Sequence, residues 1–380
     1  MKRYLIIAMD IGLSAPGIVY AKLIREMQKM CDISIICPAI SKQFSEAIEV
    51  LPCKPYKRFR NRIEKLLFKY FGKNISDQIW SRKVTLQYLK THHIDAFDGI
   101  ISFTSCYNFA TLYLGRLLSK ELKKKWIIYS VDAIPAPLDW NDDRQLHKHV
   151  NEQLKKTVVN ADAFFSSNPI MLEYELGLFG DFNGNTGVVL TPHDYSANYK
   201  KINHTGISFL YTGNIYGPRK VDALVAAFDS FSKEHPDSTL TFVGHFFANI
   251  SEQHKHLVDE GKIIIHKFTE KITTYYESAD VLIDIASIHP NDVFLSSKIV
   301  NYLPVSKPII AISGENSPVR LLFDGIPTVL QCHHNPDEVL QALNNSLKFI
   351  DSDFEDRKEI VHRFAVETVT ANFIKEIESI

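Results

Sequence analysis

The residues best suited to chemistry lie in two stretches of the second half of the chain. The first is Phe209-Leu-Tyr-Thr-Gly-Asn-Ile-Tyr-Gly-Pro-Arg219. Gly213 has no side chain, so backbone N–H groups there could approach a phosphate closely. Arg219 adds a planar, permanent positive charge where the spacing predicts the opening of a helix, and a helix N-terminus also favours anions. The second stretch is Asp292-Val-Phe-Leu-Ser-Ser-Lys-Ile-Val-Asn-Tyr-Leu303. Ser296 or Ser297 is a natural N-cap, and Lys298 follows in the first turn, where the dipole disfavours a cation unless it faces an anion. Asn301 falls one turn later on the same face, within reach of a ribose or sugar hydroxyl. Both stretches read as parts of a phosphate grip. The plainer alternatives are a βα turn with a surface arginine and a capped helix with a solvated lysine.

These residues need a scaffold, and the rest of the pattern supplies one. Apolar runs at Tyr4–Met9, Ile33–Cys37, Gly99–Phe103, Trp126–Tyr129 and Ala163–Phe165 read as buried strands, with helical segments between them. Ser208–Tyr211, Thr239–Val243, Ile263–His266, Val281–Ile285 and Pro308–Ile312 repeat the pattern, with a helix expected over Arg219–Glu234. Strands separated by helices imply parallel βαβ units. The expected architecture is α/β: two Rossmann-like, doubly wound parallel-sheet domains facing a cleft where ligands bind. The expected boundaries are 1–195 and 205–360, with a C-terminal helix at 361–380 packing back toward the first domain. Phe182–His204, rich in Asn, Gly, Pro and His, reads as the linker.

Together the two stretches resemble the donor half of the GT-B glycosyltransferases, in particular the family-4 group of retaining nucleotide-sugar enzymes. The resemblance covers most of residues 205–312. It includes the Tyr–Gly turn with its Arg, Phe242-Val-Gly244, Ser-Ala-Asp-Val-Leu-Ile at 278–283, and Ser-Ser-Lys…Asn-Tyr-Leu…Lys-Pro-Ile-Ile at 296–310. It implies that Gly213, with Asn214 beside it, lies against the donor diphosphate and that Arg219 neutralises it. Ser296, Ser297 and Lys298 would hold the phosphates, Asn301 would contact the ribose, and Asp292 lies near where an acid usually grips the transferred sugar. Several positions depart from the family. Leu224 stands where a lysine is common, Asp292 and Asn301 replace the usual glutamate pair, and His266-Lys267 replaces a His-Gly, so that Lys267 would supply the missing cation.

In the first half the resemblance is looser. It implies that Asp132, after the strand at Tyr129, orients an acceptor hydroxyl, and that Asp10, Ser14 and Gly17 line the acceptor side. The function implied is a retaining hexosyl-type transferase for polysaccharide or lipopolysaccharide synthesis. It would move sugar from a nucleotide-diphosphate sugar to a saccharide or lipid-linked acceptor. Catalysis would fall to Arg219, Lys298 and Asp132, without metal or cofactor. A GT-B nucleotide-sugar epimerase and a non-catalytic two-domain nucleotide or sugar binder are the alternatives. Asp351-Ser-Asp353 reads as a solvated turn, and Cys332-His333-His334 as a polar loop.

Composition agrees with a globular protein: 380 residues, 45% hydrophobic and 23% charged. The five cysteines are scattered without CxxC spacing, which argues for a reducing compartment, and no apolar run is long enough to span a membrane. A cytoplasmic location is expected, peripheral at the inner face of the membrane. The formal net charge of -1 hides a first half near +7 and a second near -8. Much of the positive excess lies in 54–83, where ten Lys/Arg meet only Glu64 and Asp77. Ile63, Leu66, Leu67 and Tyr70 share one helical face there, a pattern suited to an anionic membrane surface. The alternative is a solvated helix whose apolar side joins the core. No nucleic-acid motif accompanies the charge, and no nucleic-acid partner is expected.

Overall fold

The computed structural model describes every residue except 46–47, 58–61, 92–96, 106–107, 141–143, 194–204, 247 and 270. Part of the basic segment, the second half of the expected linker and Cys106 therefore lie outside the described residues. The chain divides into two units, Met1–Pro192 with Ala365–Ile380, and His193–Phe364.

The first unit is built on strands β1 (Arg3–Ile7), β2 (Asp32–Ile36), β3 (Glu49–Val50), β4 (Gly99–Ser105), β5 (Lys125–Asp132), β6 (Ala163–Ser166) and β7 (Asn185–Val188). All pair in parallel, in the order β3-β2-β1-β4-β5-β6-β7. Helices cover both faces, so the central strands are buried on both sides rather than alternating, with Ser102, Thr104 and Ser130 among their buried residues. Leu5, Ile6, Ile7, Ile100, Ile101 and Ile128 are fully buried. The last helix, Val366–Glu378, belongs to this unit: Phe373 packs against the rings of Tyr129 and Phe165, with centroids 5.9 and 5.4 Å away.

The second unit carries β8 (Ser208–Thr212), β9 (Thr239–Val243), β10 (Ile263–His266), β11 (Val281–Ile285), β12 (Ile309–Ile312) and β13 (Val329–Cys332). Their parallel order is β10-β9-β8-β11-β12-β13. The chain leaves β8 toward β9 and leaves β11 toward β12, so β8 and β11 flank the point where the direction of winding reverses. Loops from neighbouring strands separate there and open a crevice, which is where doubly wound sheets bind ligands.

The strands missed by sequence reasoning are edge strands. β3 has two residues, and β7 contains Asn185 and Gly187, both poor strand formers, inside the stretch read as linker. β13 lies at the other unit's edge. The helix expected from Arg219 begins instead at Asp222, with Val221 as its N-cap, because Arg219 closes a turn in which its N–H donates to Tyr216 O at 3.2 Å. Among the described residues, no helix is long and apolar enough to cross a membrane.

One buried acid organises the C-terminal ends of β5 and β6. Glu175 is fully buried on the helix Pro169–Phe179. Its Oε1 accepts from Ser130 Oγ at 2.8 Å and from the Ile134 N–H at 3.2 Å, and its Oε2 accepts from Ser166 Oγ. Burial outweighs these donors and pushes the carboxyl up to about 7. A carboxyl raised on folding contributes stability below its unfolded value and loses that contribution as pH rises through its folded value. A shift of this size is worth on the order of 3 kcal/mol. Glu175→Gln should therefore flatten the pH dependence of the first unit's thermal unfolding between about pH 5 and pH 8. Melting followed across that range checks it; an unchanged pH profile would remove Glu175 from the account.

Candidate functional site

The loops after β8 and β11 converge on one cluster. β8 ends at Thr212, whose N–H donates to the Tyr302 hydroxyl at 2.9 Å and whose Oγ1 lies 2.8 Å from the same oxygen. Tyr302 is fully buried on the helix Ser297–Tyr302, so one phenol ties the end of β8 to the element that follows β11.

Beyond Thr212 the backbone turns at Gly213, with φ at +112°, a conformation that L side chains rarely adopt. A Cβ there would lie 2.1 Å from Lys298 Cε: the lysine stem lies across the glycine. The turn is held by hydrogen bonds from Gly213 N to Val243 O at 2.7 Å and from Tyr211 Oη to Asn214 O at 3.1 Å. Asn214 Oδ1 accepts from the His245 N–H at 3.1 Å, so this side chain fastens the loop after β8 to the loop after β9.

Arg219 lies in the turn ahead of its helix, with its guanidinium carbon 5.1 Å from the Tyr216 ring centroid. Lys298 Nζ is 5.7 Å from the Tyr211 ring centroid. Burial pushes the Lys298 ammonium down to about 8, the Arg219 charge pushes it the same way, and Asp284 partly offsets both. Burial also works against the charge of Arg219, but Tyr211, Tyr216 and Asp284 prevail and hold its pKa above the ordinary value. The two cations singled out from separate stretches are thus brought within electrostatic reach of each other.

Their counter-charge was not foreseen. Asp284 sits within β11, in an apolar run that reads as pure core, and is 1% exposed. Its Oδ1 accepts from Ser296 Oγ at 2.7 Å, while Oδ2 is buried with no hydrogen-bond partner among the described residues. Burial raises its pKa, opposed by Lys298, Ser296 and Arg219. An acidic residue breaking a buried strand next to the Ser-Ser-Lys stretch was the available signal. Ser296 caps its helix as expected, accepting from Lys298 N at 3.3 Å, and donates to Asp284 as well.

The remaining candidates fall at varying distances from this cluster. Ser297 is exposed, and Asn301 is partly buried one turn later. Asp292 is buried, and its carboxylate accepts from the N–H groups of Phe294 at 3.1 Å and Ser287 at 3.3 Å, closing its own loop. Lys267 is exposed just after β10, two strands from β8, about 10 Å across the sheet. Leu224, where a family lysine was expected, is buried in the core.

In the first unit, Asp10, Ser14 and Gly17 interlock. Ser14 Oγ lies 2.9 and 2.8 Å from the two Asp10 carboxylate oxygens and accepts from Gly17 N at 3.1 Å, capping the helix Ala15–Met27. A Cβ on residue 17 would fall 1.9 Å from Asp10 Oδ1, so glycine is required by this contact. Asp132 ends β5, partly buried; burial raises the pKa values of Tyr20, Tyr129 and Glu175, and the charge of Asp132 acts in the same direction. Among the described residues, no three His, Cys, Asp or Glu side chains cluster as metal ligands would.

The second unit therefore carries two cations against one buried carboxylate at a strand-order switch, an arrangement fit to bind a phosphate-bearing anion. No family model and no curated protein matches the chain. Solved structures do. Anabaena HepE in complex with UDP-glucose superposes with a TM-score of 0.67 at 12% identity, covering 100% of both chains. A glycosyltransferase from Rickettsia africae gives 0.66 at 12%, covering 100% of this chain and 98% of that one. A putative UDP-N-acetylglucosamine 2-epimerase from Listeria monocytogenes gives 0.52 at 12%, covering 100% and 96%. The chain has the GT-B fold. The sequence expectation of two doubly wound parallel-sheet domains is met by the seven- and six-stranded sheets.

Because the Lys298 stem lies on Gly213, Gly213→Ala should displace the ammonium and strain the turn. Pyrophosphate affinity measured by calorimetry should fall at least about tenfold, the equivalent of 1–3 kcal/mol of local backbone strain. Unaltered affinity would show that Lys298 and Gly213 do not act together.

Proposed function

We propose that the protein is a glycosyltransferase that takes its sugar from a nucleotide-diphosphate sugar. The observation that carries this reading is the pairing of Arg219 with Lys298, whose stem lies across Gly213, with Asp284 buried beside them. Two cations against one carboxylate leave a positive charge that a diphosphate would neutralise. The GT-B fold adds support, since Anabaena HepE holds UDP-glucose on it.

The chemistry follows from where charge develops. Breaking the bond between the sugar and the diphosphate leaves negative charge on the leaving group, and fixed cations facing it lower the barrier. Arg219 would grip two phosphate oxygens with its planar fork, while Lys298 would act as a point charge from the neighbouring helix. In this reading the diphosphate is stabilised by these side chains without metal. Asn301 would meet the ribose. Asp292 would shape the loop beside the sugar, and Lys267 would serve only a donor long enough to extend past β9. Retention of configuration is inferred from the resemblance of residues 205–312 to retaining enzymes. The acceptor is proposed to be a saccharide or lipid-linked saccharide of polysaccharide or lipopolysaccharide synthesis, oriented by Asp132, in the cytoplasm at the inner membrane face.

Arg219→Ala should leave the melting temperature near that of the wild type and lower kcat/KM for the donor by about a hundredfold or more. Production of nucleoside diphosphate from UDP-glucose, measured with and without EDTA, tests both the reaction and its independence of metal. Binding without release of UDP would favour a non-catalytic binder. Conversion of the intact donor sugar would favour an epimerase.

Protonation of Lys298 sets the pH dependence. Its folded-state pKa is lowered to about 8, so the ammonium is present below that pH and lost above it. UDP affinity should be flat up to about pH 7.5 and fall by up to tenfold per unit beyond pH 8. Lys298→Arg should move the fall to higher pH. A wild-type affinity that stays flat to pH 9.5 would exclude Lys298 as a phosphate ligand.

A further inference from the structure

The basic segment keeps its acids inward and its apolar stripe outward. Of the two acids in 54–83, Glu64 Oε1 accepts from the Ser76 N–H at 2.8 Å, joining the helices Arg62–Phe71 and Ile75–Thr91. Asp77 is buried and accepts from the Tyr56 hydroxyl. The same segment is pinned to the core by Trp80, whose Nε1 donates to Lys54 O at 2.7 Å, and by Phe68 and Tyr56 packing on buried residues. Both acids thus serve the inner side of the segment.

The outer side is different. Ile63, Leu66 and Tyr70, spaced i, i+3 and i+7 on one helix face, are 64, 52 and 44% exposed, and Phe71 beside them is 61% exposed. This is the reverse of a helix whose apolar side joins the core. Lys69 Nζ stands 5.9 Å from the Tyr70 ring centroid, and Lys57, Lys73, Arg82 and Lys83 of the same segment are exposed. Exposed apolar side chains in a segment this rich in exposed cations fit the boundary between acyl chains and anionic headgroups, where each basic residue adds attraction and each buried side chain adds depth. A second copy of the chain would bring the same basic segment against itself, since a two-fold contact is self-complementary.

We infer that the outer face of the helix Arg62–Phe71 docks on an anionic lipid bilayer, with Ile63, Leu66, Tyr70 and Phe71 inserting and Lys69 and Lys73 contacting headgroups. A lipid-linked acceptor rests on the functional reading above, whereas the bilayer contact does not.

Co-sedimentation of the full chain with vesicles of phosphatidylcholine alone, or mixed with phosphatidylglycerol, tests this. Binding to the anionic vesicles should exceed binding to neutral ones at least tenfold and should weaken with salt. The triple variant Ile63→Ser, Leu66→Ser, Tyr70→Ser and the variant Lys73→Glu should each lose most of that binding. Being surface changes, both should keep the wild-type melting curve and UDP affinity. Equal binding to both vesicles, binding to neither, or wild-type binding by the triple variant would overturn the inference. So would a salt-sensitive complex with single-stranded RNA that competes the vesicles away, or a concentration-dependent dimer abolished by the triple variant. Vesicle binding without UDP binding would leave the surface standing and sink only the functional reading; the opposite result would do the reverse.

Discussion

Two positive side chains, one from the loop after β8 and one from the helix after β11, are held where the charge of Arg219 weakens the proton affinity of Lys298. Like charges placed together out of bulk water repel, and among the described residues the buried carboxylate of Asp284 offsets them. The surrounding structure serves that arrangement. Gly213 removes the side chain that would collide with the lysine stem, Tyr302 joins the two loops through Thr212, and Ser296 occupies one oxygen of Asp284. An anion bound here would relieve that repulsion, which is the electrostatic basis of the proposed phosphate grip.

Topology explains why such residues meet although they are far apart in sequence. In a doubly wound sheet the only neighbouring strands whose following loops diverge are those at the reversal of winding. Here they are β8 and β11. The glycines at the ends of β8 and β9 tighten the junction further: a Cβ on Gly244 would fall 2.3 Å from the carbonyl oxygen of Gly213. Neither loop could approach the other this closely with ordinary side chains at both positions.

The fold was largely legible because buried parallel strands are continuous apolar runs, and ten of the thirteen stand out in the sequence as such. The three that did not, β3, β7 and β13, lie at sheet edges where burial constrains composition less. Within the site, Arg219 and Lys298 were legible because each breaks a local rule, a cation in the first turn of a helix being the clearest case. Asp284 was not, because one acid inside Val281–Ile285 gives no periodic signal, and its importance depends on neighbours from another strand. The apolar face at Ile63, Leu66 and Tyr70 was legible as a stripe. Which way it pointed was not, since that depends on Glu64 and Asp77 being used to hold the segment's inner side.

Asp284 and Glu175 are both fully buried carboxyls with raised pKa values, yet they belong to different kinds of chemistry. Glu175 is surrounded by two hydroxyls and a backbone N–H, all neutral donors that fix the ends of β5 and β6. Such a group titrates with stability and does not call for a ligand. Asp284 has one hydroxyl donor, an oxygen left without a hydrogen bond, and two cations close enough to lower its pKa against the effect of burial. A strongly perturbed acid beside specific charge partners is a functional-site candidate, which describes Asp284, whereas Glu175 has hydrogen bonds from neutral donors and no cation among the causes of its shift. Asp284 thus faces Lys298 and Arg219 in the second unit, while the acid of the first unit positions the strand end that carries Asp132.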